Sequence, residues 1–281
     1  MNTSSPACFP LSLTRRIEDF PIANSPLSQH QQGAIGSSGL AAHPHAWLDP
    51  QDLAAFLASG KSALVDAGGT ALAWRGRAPD AASVFVAVTS FLLVHPWDLL
   101  RANELAIGAL RENVIEGDIH PSVVIEGVIH LGPETRILPG VFIEGNVVIG
   151  AHCKIGPNCY IRGLTSIGDS CHIGQSVEIK NSLILSHTSV GHLSYVGDSV
   201  LGEKVNFGAG TTTSNLRHDG KNHRSEVNGV LIDTGRRKFG TIVGDGVHTG
   251  INTSIYPGRK LWPHTTTRPG EIIQRDLTHS P

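Results

Sequence analysis

The chain has no CxxC pair, no excess of either charge and no apolar run long enough to cross a bilayer. Each absence removes a class of function. Four cysteines in 281 residues, without paired spacing, point neither to structural zinc nor to an oxidising compartment. A formal charge of −2 argues against nucleic acid as the main partner and against an acidic lipid surface. The run over residues 84–94 is apolar but only eleven residues long, about half of the roughly 20 that a membrane helix needs. No secretory signal stands at the start; Arg15-Arg16 and the early Ser and Thr echo a targeting peptide only weakly. The expectation is a cytoplasmic protein with neither a nucleic-acid nor a membrane partner. With 40% hydrophobic residues it can bury a substantial core.

What the chain does have is a column of branched aliphatics six residues apart. Ile119, Ile125, Leu131, Ile137, Ile143, Ile149, Ile155, Ile161, Ile167, Ile173, Ile179 and Leu185 run without a miss. A helix repeats every 3.6 residues and a half-buried strand every two, so neither explains a period of six. Gly132, Gly150, Gly156, Gly168 and Gly174 directly follow the aliphatic. This is the hexapeptide repeat of a parallel β-helix, three units closing one triangular coil of 18 residues. Coils this tight wind left-handed, against the usual crossover rule. A second inward column, two residues earlier, holds small side chains: Val123, Ile129, Thr135, Val141, Val147, Cys153, Cys159, Thr165, Cys171, Val177 and Leu183. The three cysteines in it read as small buried hydrophobes.

The phase slips after Leu185, slips again before Leu201, breaks over residues 215–240 and resumes at Val243. Such breaks are loops thrown off the prism, where function concentrates. Residues 1–44, rich in Ser, Pro, Gln, Ala and Gly, read as a disordered tail holding Cys8. Residues 45–113 read as a small α+β cap. In it Asp49-Pro50 starts a helix stopped by Gly60, Gly68-Gly69 joins a hairpin, and a second helix over 98–111 covers the first coil. The β-helix spans 114–276, with a loop insertion at 215–240.

Polar groups crowd one stretch of this monotonous fold, VGHLSYVGDSVLGEKVNFGAG at 190–210. His192 stands there with Tyr195 and Asn206. One coil earlier Glu178 and Lys180 flank inward Ile179 and so face outward. Arg162 lies one 18-residue turn before Lys180, which stacks two cations on one face, a natural phosphate site. The loop 215–240 adds six cations, Arg217, Lys221, Arg224, Arg236, Arg237 and Lys238, against three acids.

From Arg162 to Asp276 the chain resembles the C-terminal acetyltransferase domain of the bifunctional enzymes that make UDP-N-acetylglucosamine. The resemblance is carried by Arg162, VEIK at 177–180, GHLSYVGD at 191–198, VNFGAGTTTSN at 205–215, RKFGTIVGD at 237–245 and PG…RD at 269–276. It implies that His192 is the general base toward the sugar amine. Arg162, Lys180, Tyr195 and Asn215 would hold the sugar phosphate. Asn206, the Ala209 backbone and Lys238 would contact acetyl-CoA. Beside the resemblance, Glu178 is counted with the substrate-binding set and is expected to orient or tune His192. Histidine titrates close enough to neutrality for that base role, and N–H groups around Gly208–Gly210 are candidates for an oxyanion site.

Two departures qualify the resemblance. Ile251 stands where the family usually has a Ser that contacts coenzyme A, and nothing before the coils has room for a uridylyltransferase. LVDAGGTAL at 64–72 only superficially echoes that domain's nucleotide loop. A histidine on a turn is ordinarily just a surface residue; inside GHLSYVGD the base role is the better reading. His187 and His192 also have the HxxxxH spacing of γ-class carbonic anhydrases, but His152 is one residue out of place for a third ligand, so no metal is expected.

The expectation is therefore a mainly β protein, a left-handed parallel β-helix with a small N-terminal α+β cap. It would form a homotrimer and transfer an acetyl group from acetyl-CoA to glucosamine or galactosamine 1-phosphate. The alternatives are another acyltransferase of this fold, or a non-catalytic scaffold or regulatory partner of a separate nucleotidylyltransferase.

Overall fold

A computed structural model of the chain describes residues 8–279. The hexapeptide column builds a left-handed parallel β-helix with three flat faces, named I, II and III. Face I runs from Asp118–Ile119 to Asn206–Phe207, face II from Val124–Glu126 to Ile272–Ile273, and face III from Val114–Ile115 to Lys260–Leu261. All three are parallel, with Ile137 paired to Ile155, Ile143 to Ile161 and Leu131 to Ile149. Ile143, Ile155, Ile161, Ile167, Ile173 and Ile179 are fully buried, and together they fill one continuous core. Burying each such side chain contributes about 1.5–3 kcal/mol, so the column dominates the stability of the coils.

The slip in phase is a change in coil length. Arg162 pairs with Lys180, 18 residues on, but Lys180 pairs with Gly197, only 17 on. The missing residue lies between Lys180 and Leu183. Ile184 rather than Leu185 therefore takes the inward place after Ile167. Leu183 and Leu185, expected inside the prism, instead cover its outside, buried in a second cluster with Trp97, Leu99 and Leu100.

That second cluster is where the N-terminal part docks. Helix α1 (Leu27–Ile35), helix α2 (Pro50–Ser59) and helix α3 (Pro96–Gly108) surround short strands. For α2, Asp49 caps the N-terminus by accepting the Gln51 N–H at 2.9 Å, and Gly60 closes it in the left-handed region. The hairpin of Ala63–Val65 with Ala71–Trp74 forms around Gly68-Gly69 as expected. Helix α3 starts two residues before the expected 98, because Pro96 fills its first position and Asp98 accepts the His95 N–H at 2.7 Å. It does not cover the first coil. It lies along face III, packed on strands Thr165–Ile167, Leu183–Ile184 and Val200–Leu201. Asn103, 1% exposed, ties the helix to its neighbours by accepting from the Ser166 hydroxyl and the Ala23 N–H, both at 2.9 Å.

Residues 8–44 are ordered, contrary to the expected tail; residues 1–7 lie outside the described residues. Cys8, Leu11, Ile17, Phe20, Ile22 and Leu27 are buried against Leu183, Val200 and Ile242 of face III. The outer surface of that face is apolar and must be covered. The segment that covers it uses short 3-10 turns and two-residue strands, so its apolar residues keep no single period. The loop 215–240 likewise folds, as an antiparallel hairpin of Arg224–Val227 with Val230–Asp233. Among the described residues, no helix is long and apolar enough to cross a membrane.

Candidate functional site

Parallel register brings Arg162 and Lys180 side by side on the outside of face II, at the edge nearest face III. Arg162 lies over the Tyr160 ring at 5.1 Å and donates through Nε and Nη2 to Glu178 Oε1, at 2.9 and 2.7 Å. This pair is about one-third exposed. Lys180 Nζ donates to Asp198 Oδ2 at 2.8 Å, and Asp198 is almost completely buried. Asn215 Nδ2 donates to the same oxygen at 2.6 Å and to the Tyr195 hydroxyl at 2.9 Å. Asn181 Nδ2 donates to Asp198 Oδ1 at 3.1 Å. One buried carboxylate thus gathers Lys180, Asn181 and Asn215, and a buried charge needs partners of this kind.

Burial, followed by the negative charge of Asp198, pushes the Tyr195 phenol above its ordinary range. It therefore stays protonated, and because its oxygen accepts from Asn215, its own hydrogen remains to donate. Glu178 holds the Arg162 guanidinium above its usual value through their hydrogen bond. The expectation that Glu178 orients His192 is not met, because the carboxylate turns to Arg162 instead.

His192 stands on the corner between faces I and II. Coil stacking places it in a column, since Leu193 N–H donates to Gln175 O, Gly210 N–H to His192 O and Asn252 N–H to Ala209 O. The column reads Gln175, His192, Ala209, Ile251 from bottom to top. The His192 ring is exposed, and among the described residues no hydrogen bond reaches it. Its electrostatic neighbour is His172 on face I, whose pKa is lowered by burial, by Lys154 and by His192. The next residue, Leu193, is 71% exposed with φ of 58°, a left-handed conformation that costs a non-glycine residue about 1 kcal/mol or more.

Within one chain, then, His192 marks one edge of face II and Arg162 with Lys180 the other, with Tyr195 between. The residues expected at acetyl-CoA are divided. Asn206 faces outward on face I, paired with Ser189, and Ala209 follows on the corner. Lys238 instead bridges Leu216, and its neighbour Phe239 donates to Asn215 O. That backbone places Lys238 beside Leu216 and Asn215 rather than beside Ala209. The Gly208 and Gly210 N–H groups are used within the coils, donating to Thr249 and to His192 O, which leaves the Ala209 N–H as the candidate donor of that stretch.

Asp198, Asn181 and His172 were missed as site residues by the sequence reading. Asp198 lies inside GHLSYVGD and was legible there; the other two carry no local signal. His187 and His192 lie two residues beyond either end of the strand Ser189–Val190, and among the described residues no group of three His, Cys, Asp or Glu side chains stands together as a metal site. A cavity of about 1000 Å³ lies between Phe9, His95, Lys260 and Trp262, and none of the expected site residues lines it.

The model of the GMPPB C-terminal domain matches residues 143–268. A bifunctional sugar-1-phosphate nucleotidylyltransferase/acetyltransferase of Sulfurisphaera tokodaii is 42% identical over 182 residues, 65% of this chain and 45% of that protein. The bifunctional protein GlmU of Methanocaldococcus jannaschii is 40% identical over 182 residues, and that of Methanococcus maripaludis strain C7 is 51% identical over 183. Each of these two matches covers 65% of this chain and 44% of the relative. The chain therefore spans less than half the length of the curated relatives it matches. Over about two thirds of its length this chain is thus similar to bifunctional proteins named as sugar-1-phosphate nucleotidylyltransferase/acetyltransferase and GlmU.

Proposed function

We propose that this chain transfers the acetyl group of acetyl-CoA to the amine of glucosamine or galactosamine 1-phosphate. The observation that carries the reading is the Asp198-centred cluster, which presents Lys180, Asn215 and Tyr195 beside Arg162 on the face that begins at His192. A sugar phosphate lying along face II would meet cations at one edge and an imidazole at the other. The phosphate would displace Glu178 from Arg162, since that pair is exposed and exposed pairs are weak. The buried Lys180–Asp198 pair would stay in place.

The chemistry is amide formation. The sugar amine attacks the thioester carbonyl carbon, a C–N bond forms and the C–S bond breaks. His192 takes the proton that the nitrogen must lose, and coenzyme A leaves as the thiolate. Proton transfer of this kind contributes about 10²–10⁴-fold. On the acyl donor's side the residues fit in part: the Asn206 amide and the corner at Ala209 are polar and accessible, while Ile251, 54% exposed, offers the donor only apolar contact. Face III is covered by the chain's own N-terminal part, which leaves faces I and II for copies to pack. A homotrimer built through them would bring face I of one copy, with Asn206, against face II of the next.

Incubation with acetyl-CoA and either amino-sugar phosphate, with release of free thiol followed over time, tests the reading. Thiol release is expected with at least one acceptor and is expected to drop at least 100-fold in His192→Ala. No release with either acceptor would overturn it. The exposed Ile251 favours a second reading, a non-catalytic partner of a nucleotidylyltransferase, and that outcome would support it.

A further inference from the structure

We infer that Glu104, on helix α3 of the N-terminal part, is a positioning residue for the sugar-phosphate site, acting with Arg236 through Asn181. The inference rests on the function proposed above. Glu104 Oε1 accepts from Asn181 Nδ2 at 2.6 Å, and the same carboxylate takes both terminal nitrogens of Arg236, with Nη1 to Oε2 at 3.2 Å. Asn181 Nδ2 also donates to Asp198 Oδ1. An unbroken path of hydrogen bonds therefore runs from Arg236 through Glu104, Asn181 and Asp198 to Lys180, Asn215 and the Tyr195 hydroxyl.

Three separate parts of the sequence meet here: the helix α3, the corner after Lys180, and the end of the loop 215–240. Each link has a physical consequence. The amide nitrogen of Asn181 has two hydrogens, and both are committed to carboxylates, so its rotamer is fixed. Asn181 sits at φ of 45°, which its own short polar side chain tolerates and a longer residue would not. The Glu104 and Arg236 side chains are only 24% and 17% exposed, so neither charge stands alone without penalty. Glu104 thereby sets where Asp198 points, and Asp198 sets where Lys180 and Asn215 point. A phosphate-binding set built this way needs the N-terminal part in place, although that part contributes no group that touches substrate.

The test is steady-state kinetics of the full chain carrying Glu104→Gln or Arg236→Gln, each compared with Asn103→Ala. Gln at 104 keeps the shape of the side chain and an acceptor for Asn181 but removes the charge. Both site variants are expected to raise KM for the amino-sugar phosphate about tenfold, with KM for acetyl-CoA unchanged and kcat within about twofold. Asn103→Ala is expected to lower the melting temperature without moving either KM. An active wild type whose sugar-phosphate KM is the same in both site variants overturns the positioning role alone. So does a rise in KM that Asn103→Ala reproduces, because that would be general loosening of the helix. A wild type inactive with both acceptors overturns the proposed function, and this inference with it.

Discussion

Tyr195 folds back over Gly197: a methyl group on Gly197 would lie 2.4 Å from the Tyr195 hydroxyl oxygen and 2.7 Å from Asn215 Nδ2. The bare backbone at this position is what lets the phenol reach Asn215. Gly197→Ala is expected to push the ring outward, break the Tyr195–Asn215 hydrogen bond and cost about 1–3 kcal/mol by overpacking. Sugar-phosphate KM should rise while kcat changes less. Urea denaturation and kinetics on one preparation check both, and an unchanged KM would mean that the Tyr195 hydroxyl is not used.

Asp198→Asn turns an acceptor into a group that meets Lys180, Asn181 and Asn215, three donors, with an amide. Removing one partner of a buried ion pair costs about 3–5 kcal/mol. The lower end is expected here, because Lys180 keeps some access to water. Denaturant titration measures it, and a loss below about 1 kcal/mol would contradict the central place given to this carboxylate.

His223 is buried, with Nε2 against Asn215 O at 3.0 Å, and burial lowers its pKa from the usual histidine value. Between the lowered folded value and the unfolded value of about 6.5, the unfolded chain binds a proton that the folded chain refuses. Stability from this group is therefore full above that window and falls as pH drops through it. The melting temperature of the wild type should fall more between pH 7.5 and pH 5.5 than that of His223→Gln. Equal falls would locate the acid sensitivity elsewhere; His95 and His172, also shifted down by burial, are the next candidates.

Cys159 sits inside the prism, and burial pushes its thiol up to about 11. Cys8, Cys153 and Cys171 are buried as well, and none of the four is in a disulfide. A thiolate reagent at pH 8 should label the native protein at negligible rate and all four thiols in denaturant. Fast labelling of Cys153, Cys159 or Cys171 in the native chain would show that the coils open.

The inward column determines the coils because each of its residues meets the one a winding away, a relation that recurs in the chain at fixed spacing. The stacking of Arg162 on Lys180 follows from the same spacing, since outward neighbours of an inward residue must also stack. The motif around His192 supplied the remaining candidates. Where the coil shortens from 18 residues to 17, that spacing fails, and Leu183 and Leu185 exchange the interior for the outer surface.

Sequence by itself thus decided the repeat, the faces and the set of outward polar residues, because all of these depend on neighbours at constant separation. Only the tertiary structure decided that residues 8–44 cover face III, that Glu178 serves Arg162 rather than His192, and that Lys238 stands beside Asn215. It alone joined Glu104 to Asn181, 77 residues away, and to Arg236, 132 away. Those contacts link segments with no shared period, and what selects them is the need to cover an apolar face and to neutralise buried charge.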